Sequence, residues 1–188
     1  MKKLALTSLL AVFAISTANA GTNFFVGGSL GFDFNDGHDN TITTAPEFGW
    51  KLNSKWDLGA MGEFTYVRDS EEDVDDVYLY GAGAFARYHA AKFGDFELLF
   101  KGGVELDFVT VDGHTGTSLN AAIIPMITYD VSESFTLYAN LNFLGVYAGY
   151  TWENENVGLE RGWGFGAYAD SDNVANTSDF QIGFTYNF

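Results

Sequence analysis

The sequence predicts an all-β protein, a single eight-stranded antiparallel up-and-down β-barrel that spans a membrane. Three observations lead to this fold class. Large apolar residues alternate with small or polar ones almost from end to end, which is the period of a β-strand and not of a helix. Aromatic residues make up 17% of the 188 residues, and glycine occurs 22 times. After residue 20, no window approaches the roughly 18 uninterrupted apolar residues that a membrane helix needs.

The first twenty residues are predicted to be a secretory signal peptide. Lys2 and Lys3 form a basic start, residues 4–15 form a short apolar stretch, and Ala18-Asn19-Ala20 is an A-x-A cleavage site. We therefore expect export and cleavage after Ala20. This divides the chain into a signal peptide at 1–20 and one barrel domain at 21–188.

The charge balance excludes one large class of partner. Removing Lys2 and Lys3 from the nine basic residues leaves seven against 25 acidic ones, a net charge of −18. Such a surface repels phosphate backbones, so we expect no nucleic-acid partner. The chain has no cysteine, which excludes disulfide bonds and thiolate metal sites.

The alternation is clearest in "FELLFKGGVELDF" at residues 96–108, where every charge falls on one face of a strand. The other seven predicted strands cover residues 24–34, 42–52, 56–66, 77–88, 119–131, 135–147 and 180–188. Short turns are predicted at 53–55, 89–94 and 132–134, and longer polar loops at 35–41, 68–76, 109–118 and 149–178. Short turns on one side and long loops on the other are typical of outer-membrane barrels.

The segment "GWGFGAYA" at residues 162–169 also has strand character. A ninth strand would place the two termini of the chain on opposite sides of the membrane, whereas bacterial barrels have even strand numbers. We interpret the segment as an outward extension of the last hairpin, or as a loop folded over the mouth. Ten strands are the alternative.

Alternation leaves open which face points inward, because a soluble lipocalin-like barrel holds its apolar face inside around a ligand. Three features favour a membrane barrel. The polar face is rich in glycine and small residues, which suits a narrow, filled interior. Aromatic residues gather near the predicted strand ends, as in an interfacial girdle, and the chain ends on Phe188 of the apolar face. The girdle candidates are Phe24, Trp50, Trp56, Tyr129 and Phe135.

The signal sequence, the eight alternating segments, the short turns and the terminal Tyr186-Asn187-Phe188 together resemble the small OmpA/OmpX-like outer-membrane β-barrel family of Gram-negative bacteria. The resemblance covers essentially all of residues 21–188, and its motifs specify a fold better than an activity. In that family the C-terminal aromatic strand is recognised by the outer-membrane assembly machinery. The resemblance therefore implies an assembly signal at Tyr186 and Phe188.

Charged residues of the polar face are predicted to meet inside the barrel. An eight-stranded barrel is just wide enough for side chains to fill it. We expect a buried ionic network that plugs the barrel, and the alternative is a narrow cation-preferring channel lined by the excess carboxylates. The predicted network consists of Glu47, Lys51, Glu63, Arg87, Glu97, Lys101 and Glu105.

Residues that could carry chemistry are few. His38 lies beside acidic residues and His114 lies near Ser118, as a lipid-modifying enzyme would require, but no nucleophile motif surrounds them. The acidic segment "RDSEEDVDD" at 68–76 lacks the spacing of a calcium loop, so we interpret it as solvated. We therefore expect no catalytic residue, no cofactor and no metal site.

The predicted function is a non-enzymatic structural or surface-interaction role in the bacterial outer membrane. A channel is the first alternative, and a lipid-modifying enzyme is the second. Expected partners are outer-membrane lipids, the assembly machinery and an extracellular partner that contacts the loops. We expect the barrel to be a monomer.

Overall fold

The computed structural model describes residues 23–33, 40–68, 77–169 and 180–188. The predicted signal peptide at 1–20 lies outside these residues. Within the described ranges, one short 3-10 helix, Glu155–Val157, accompanies ten strands. The strands are β1 (Phe24–Asp33), β2 (Asn40–Asn53), β3 (Trp56–Arg68), β4 (Val77–Phe93), β5 (Phe96–Val111), β6 (His114–Asp130), β7 (Phe135–Leu141), β8 (Leu144–Trp152), β9 (Gly162–Ala169) and β10 (Phe180–Asn187).

Eight of these strands close into a barrel, so the predicted fold is confirmed. Their order is β5-β4-β3-β2-β1-β10-β7-β6, and pairing between β5 and β6 closes the ring. Every pairing is antiparallel. Closure gives each of the eight strands two neighbours, which satisfies backbone hydrogen bonds without water.

The remaining two strands extend one side of the barrel. β6 pairs with β7 at one end and with β8 at the other, and the register shifts between Met126, opposite Asn140, and Ile123, opposite Val146. The prediction of one strand at 135–147 is therefore wrong, because a turn at residues 142–143 divides it. β9 pairs with β8 and prolongs the last hairpin. Of the two interpretations of residues 162–169, the outward extension of the last hairpin is confirmed, and the polar loop predicted from 149 begins later because β8 continues to Trp152.

Two predicted connections are shorter than expected. β5 and β6 are joined only by Asp112 and Gly113, which have φ angles of 47° and 75°. Asp-Gly with both residues in the left-handed region is the favoured two-residue hairpin turn, so the predicted loop at 109–118 is wrong. β4 likewise continues to Phe93, which leaves Gly94 and Asp95 as the turn predicted at 89–94. Most of the predicted loops 35–41 and 68–76 lies outside the described residues.

The outer wall of the barrel is apolar. Large hydrophobic side chains are exposed on nearly every strand, among them Leu30, Leu58, Phe64, Val104 and Ile123. The described residues include no helix that is long and apolar enough to cross a membrane. The interior holds the residues that are most completely buried, led by Phe25, Leu99 and Met126.

Aromatic rings pair at the end of the barrel that carries the short turns. Ring centroids lie 5.6 Å apart for Phe24 and Trp50, 5.0 Å for Trp56 and Tyr88, and 4.8 Å for Phe96 and Tyr129. These distances are in the range for favourable aromatic contacts. The pairs form one edge of the aromatic girdle that the sequence predicted.

Candidate functional site

An ion pair lies at the centre of the barrel. Arg87 of β4 donates a hydrogen bond from its Nη2 to Oε1 of Glu47 on β2. Lys101 of β5 places its Nζ 3.4 Å from the other carboxylate oxygen, Oε2. The side chains of Arg87 and Glu47 are only 4% and 1% exposed, so both charges have left solvent. Charges this deeply buried are stable only when they are paired and hydrogen-bonded.

Three aromatic rings surround the guanidinium of Arg87. Its Cζ lies 5.1 Å from the ring centroid of Phe25, 4.8 Å from that of Phe85 and 5.4 Å from that of Tyr138. Each distance is within the ~6 Å range in which a cation is attracted to an aromatic ring. The rings come from β1, β4 and β7 and therefore approach Arg87 from different parts of the wall. We call these six residues, Glu47, Arg87, Lys101, Phe25, Phe85 and Tyr138, the central cluster.

Each of the three rings lies against a glycine on a neighbouring strand. Phe25 is directly opposite Gly49, Phe85 is opposite Gly59, and Tyr138 is opposite Gly183.

A Cβ added at any of these glycines would strike the facing ring. The inward glycines thus provide the space in which large rings fit inside a narrow barrel. An aromatic residue opposite a glycine on the neighbouring strand is also known to offset the loss of sheet stability that the glycine causes.

The central cluster separates two chambers. The outer chamber, away from the short turns, has a volume of about 170 Å³ and is lined by Glu63, Lys101, Glu105, Asn120, Asn140 and Gln181, among others. The inner chamber, beside the short turns, has a volume of about 140 Å³ and is lined by Asp57, Arg87, His89, Glu97, Asp130 and Tyr138, among others. The two chambers share no described lining residue: Lys101 of the central cluster lines the outer chamber, and Phe25, Arg87 and Tyr138 line the inner chamber.

The inner chamber contains a histidine held by two carboxylates. Nε2 of His89 lies 3.1 Å from Oδ2 of Asp57, and Nδ1 lies 3.0 Å from Oε2 of Glu97. These contacts link β3, β4 and β5. This role of His89 was not predicted, because residues 89–94 were assigned to a turn. His89 follows Arg87 by two residues and so shares its inward phase, which is the signal that could have found it.

The seven residues of the predicted network divide among three places. Glu47, Arg87 and Lys101 meet in the central cluster, and Glu63 and Glu105 line the outer chamber. Glu97 belongs to the inner chamber with His89. Lys51 also borders the inner chamber but is exposed, so it lies at the rim and not in the buried part. An exposed ion pair, in which Nζ of Lys92 lies 2.9 Å from Oδ2 of Asp130, is also found at this end of the barrel.

The C-terminal residues are part of the wall. Tyr186 of β10 is 43% exposed and faces outward opposite Val26. The backbone nitrogen of Phe188 donates to the oxygen of Phe24 at 3.1 Å, and the two rings lie 5.9 Å apart. The predicted assembly signal therefore adjoins the first strand, where β1 and β10 close the barrel.

Of the residues considered for chemistry, the structure describes His114 and Ser118, both on β6. His114 is exposed at the start of β6, directly after the Asp112-Gly113 turn. His38 and nearly all of the acidic segment 68–76 fall outside the described residues. Within the described ranges, no group of three or more histidine, aspartate or glutamate side chains is positioned to hold a metal ion by itself.

The β8–β9 hairpin presents an aromatic surface. Trp163 and Phe165 are 78% and 83% exposed, the most exposed large hydrophobic residues on the described part of the chain. The ring of Tyr150 lies 4.9 Å from that of Trp163 and 5.1 Å from that of Trp152. We call Tyr150, Trp152, Trp163 and Phe165 the hairpin patch.

Comparison with solved structures places this architecture among known proteins. Neisserial surface protein A (NspA) superposes with a TM-score of 0.52 at 15% sequence identity, covering 88% of this chain and 97% of that one. The chain has the fold of a small outer-membrane β-barrel. The comparison at this identity concerns the fold and not the activity.

Two further structures match more loosely. A major outer membrane protein from Thermus thermophilus has a TM-score of 0.48 at 12% identity, covering 88% of this chain and 98% of that one. Ail, the attachment invasion locus protein of Yersinia pestis, has a TM-score of 0.39 at 12% identity, covering 88% of this chain and 97% of that one. No family model and no curated protein matches the chain.

Proposed function

We propose that this chain is a non-enzymatic integral protein of the bacterial outer membrane, with a closed barrel that serves a structural and surface-contact role. The observation that carries this proposal is the central cluster. Paired charges and three rings occupy the section between the two chambers. A cluster of this kind would hold the wall strands together and block an open path through the barrel.

The membrane location follows from the outer wall and from the fold. Exposed Leu, Val, Ile, Phe and Trp side chains surround the barrel, an arrangement that is unfavourable in water and favourable in a bilayer. The signal peptide predicted at 1–20 would direct the chain out of the cytoplasm, as a Gram-negative outer membrane requires.

Conductance in planar lipid bilayers tests the closed barrel. The purified protein is first shown to be folded by its shift in gel mobility on boiling. We expect no discrete single-channel steps from the wild type. The Arg87→Ala variant is also expected not to conduct, because the rings of Phe25, Phe85 and Tyr138 remain in place. Regular large steps from the folded wild type would refute the closed barrel.

A narrow cation-preferring channel is the second candidate. It is favoured by the carboxylates of both chambers, where Glu63 and Glu105 lie on one side of the central cluster and Asp57 and Glu97 on the other. In that case the wild type would conduct with a preference for K⁺ over Cl⁻. The Glu105→Gln variant would reduce that preference.

We also propose that Tyr186 and Phe188 are read by the outer-membrane assembly machinery. Their support is the closing position of β10 beside β1. The Phe188→Ala variant should insert more slowly into vesicles that contain purified assembly machinery. Its spontaneous folding into detergent micelles should stay close to that of the wild type. Equal slowing in both systems would identify a purely structural role.

The remaining partners are assigned to surfaces. Outer-membrane lipids would contact the apolar wall, and an extracellular partner would contact the loops and the hairpin patch. If an extracellular partner contacts the hairpin patch, the folded Trp163→Ala barrel should bind that partner more weakly than the folded wild-type barrel does. We expect the barrel itself to remain monomeric.

A further inference from the structure

His89 lies between two carboxylates in the inner chamber, and each of its ring nitrogens faces one of them. Nε2 lies 3.1 Å from Oδ2 of Asp57 on β3, and Nδ1 lies 3.0 Å from Oε2 of Glu97 on β5. An ionised carboxylate only accepts hydrogen bonds, whereas a neutral imidazole has a single N–H group. Two such contacts therefore require a proton on both ring nitrogens, which makes His89 an imidazolium cation.

The charges that line the inner chamber balance only with this extra proton. Arg87 also lines the chamber but is paired with Glu47, and the described lining residues of β1, β7 and β10, among them Tyr138, are uncharged. The remaining groups are three carboxylates and two lysines, so a doubly protonated His89 makes the charges equal. These groups are Lys51 of β2, Asp57 of β3, Lys92 of β4, Glu97 of β5 and Asp130 of β6.

His89 stands at an irregularity of the sheet. The register of β4 against β5 shifts between His89 and Ala91, so that Ala90 is an extra residue on β4. Such a β-bulge interrupts the ladder of backbone hydrogen bonds and redirects side chains, and bulges are frequent beside functional sites. On the other side, the backbone nitrogen of His89 donates to the oxygen of Lys55 at 3.0 Å. The backbone at His89 is therefore fixed on the side of β3, while its pairing with β5 is interrupted.

The two carboxylates differ in their access to water. The side chain of Asp57 is 5% exposed and that of Glu97 is 18% exposed. The second oxygen of Asp57, Oδ1, is buried without a hydrogen-bond partner among the described residues, so Asp57 depends on the hydrogen bond from His89. Glu97 can instead turn toward solvent. A ring with one proton therefore keeps it on Nε2 for Asp57 and leaves Nδ1 bare against Glu97.

We propose that His89 is a pH-sensitive clasp between β4 and β5. While the ring carries two protons, it holds Asp57 and Glu97 through two charge-assisted hydrogen bonds and secures the bulge. When the proton on Nδ1 leaves to water, the hydrogen bond to Glu97 is lost and that carboxylate is released from β4. Because the folded state binds this proton and the unfolded chain lacks the clasp, stability falls when a rise in pH removes it.

The clasp lies at the end of the barrel that carries the short turns. In outer-membrane barrels these turns face the periplasm, so the clasp would respond to the pH of that compartment. This orientation rests on the proposed function, whereas the protonation of the ring requires only the closed barrel.

Nitrogen-15 NMR of the histidine rings tests the clasp on the full barrel folded in detergent micelles. The signals of His89 are assigned through its own backbone resonances, and at about pH 7 both ring nitrogens should carry protons. Glu97→Gln removes one carboxylate, so the pH at which the ring loses its second proton should fall by about one unit or more. The matched control is Asp130→Asn, which removes the same charge from the same chamber without touching His89, and should shift that pH much less.

Stability provides the second measurement. The urea concentration at which the wild type unfolds should decrease as the pH is raised from about 6 to about 9, and His89→Gln should lack this decrease. The variant His114→Gln, changed at an exposed turn, should retain it. A single proton on the wild-type His89 ring at neutral pH would overturn the clasp, and so would an equal pH dependence in the wild type and His89→Gln. Either result would leave the closed barrel standing, because conductance tests the barrel separately.

Discussion

Glu47 accepts a hydrogen bond from Arg87 across the interior of the barrel, although their strands, β2 and β4, are not neighbours in the sheet. β3 lies between them, and the curvature of the closed wall brings the two side chains together. The pair therefore joins strands that share no backbone hydrogen bond. The Glu47–Arg87 pair therefore forms only when the wall has the curvature of the closed barrel.

Removing one charge of the central cluster should be far more harmful than removing all three. Arg87→Met leaves the carboxylate of Glu47 buried, although Lys101 still lies near it, and should lower the free energy of unfolding by about 3–5 kcal/mol. The triple variant Glu47→Leu with Arg87→Met and Lys101→Met, in which no buried charge of the central cluster is left without a partner, should recover most of that loss. Urea unfolding in lipid vesicles, followed by tryptophan fluorescence, measures both.

The control for this prediction is Lys92→Met at the exposed pair with Asp130. Solvent and salt screen that pair, so the change should stay within about 1 kcal/mol. A similar loss for Lys92→Met and Arg87→Met would contradict a special role for the buried pair.

The three glycines that face the rings, Gly49, Gly59 and Gly183, should tolerate no side chain. Gly59→Ala places a methyl group against the ring of Phe85 and should destabilise the barrel by about 1–3 kcal/mol through overpacking. Gly62→Ala, three residues along the same strand, meets its nearest atoms at 3.7 and 3.8 Å and should be neutral or stabilising. The same urea unfolding assay compares the two. Equal effects would show that the ring of Phe85 and the backbone oxygen of Phe48, which lies about as close to the added methyl group, both move aside at little cost.

His89 should couple energetically to Asp57. A double-mutant cycle with His89→Ala and Asp57→Ala should give an interaction energy of about 1–3 kcal/mol. Either single variant already removes the charge-assisted hydrogen bond in the shielded chamber, so the double variant should lose less than the sum of the two single losses. His114→Ala, at an exposed turn, should change stability by no more than about 0.5 kcal/mol. Additive effects of His89→Ala and Asp57→Ala would rule out the bridge.

Asn154 should anchor the segment that joins β8 and β9. Its Nδ2 donates to the oxygen of Thr115 at 2.8 Å, and its Oδ1 accepts from the nitrogen of Asn156 at 3.1 Å as the cap of the 3-10 helix. Asn154→Ala should therefore lower the local stability of this segment by up to the ~0.5–2 kcal/mol that a cap contributes. Proteolysis within residues 155–161 should be correspondingly faster. Asn156→Ala leaves both bonds intact and should be cut at the wild-type rate.

The strand segments and the two faces of each strand were predictable because alternation is a local property. The phase of a single strand places Glu47, Arg87 and Lys101 on the polar face, and the glycine and small residues of that face indicated that it points inward. The tight turn at Asp112-Gly113 was also within reach, since that dipeptide favours a two-residue hairpin turn. The dipeptide was interpreted as a turn, but the polar residues on either side of it were predicted as a longer loop at 109–118, whereas they belong to β5 and β6.

The division of the interior could not be predicted from the sequence. Which charges meet depends on the stagger between strands and on the width of the closed ring. Lys51 and Glu97 have the same inward phase as the central cluster, yet they lie at another height and have other neighbours. The break of the seventh strand at residues 142–143 is also a matter of register with β6, which no periodicity within that strand reveals.

The sequence by itself determined a closed antiparallel barrel with an apolar outer wall, because period-two alternation runs over almost the whole chain and its small, polar face suits a narrow interior. Only the tertiary structure decided that Arg87 is enclosed by Phe25, Phe85 and Tyr138, and that glycines on neighbouring strands admit those rings. The physical reason is that these contacts form across the barrel, between residues that are distant in the chain, and exist only once the wall has closed.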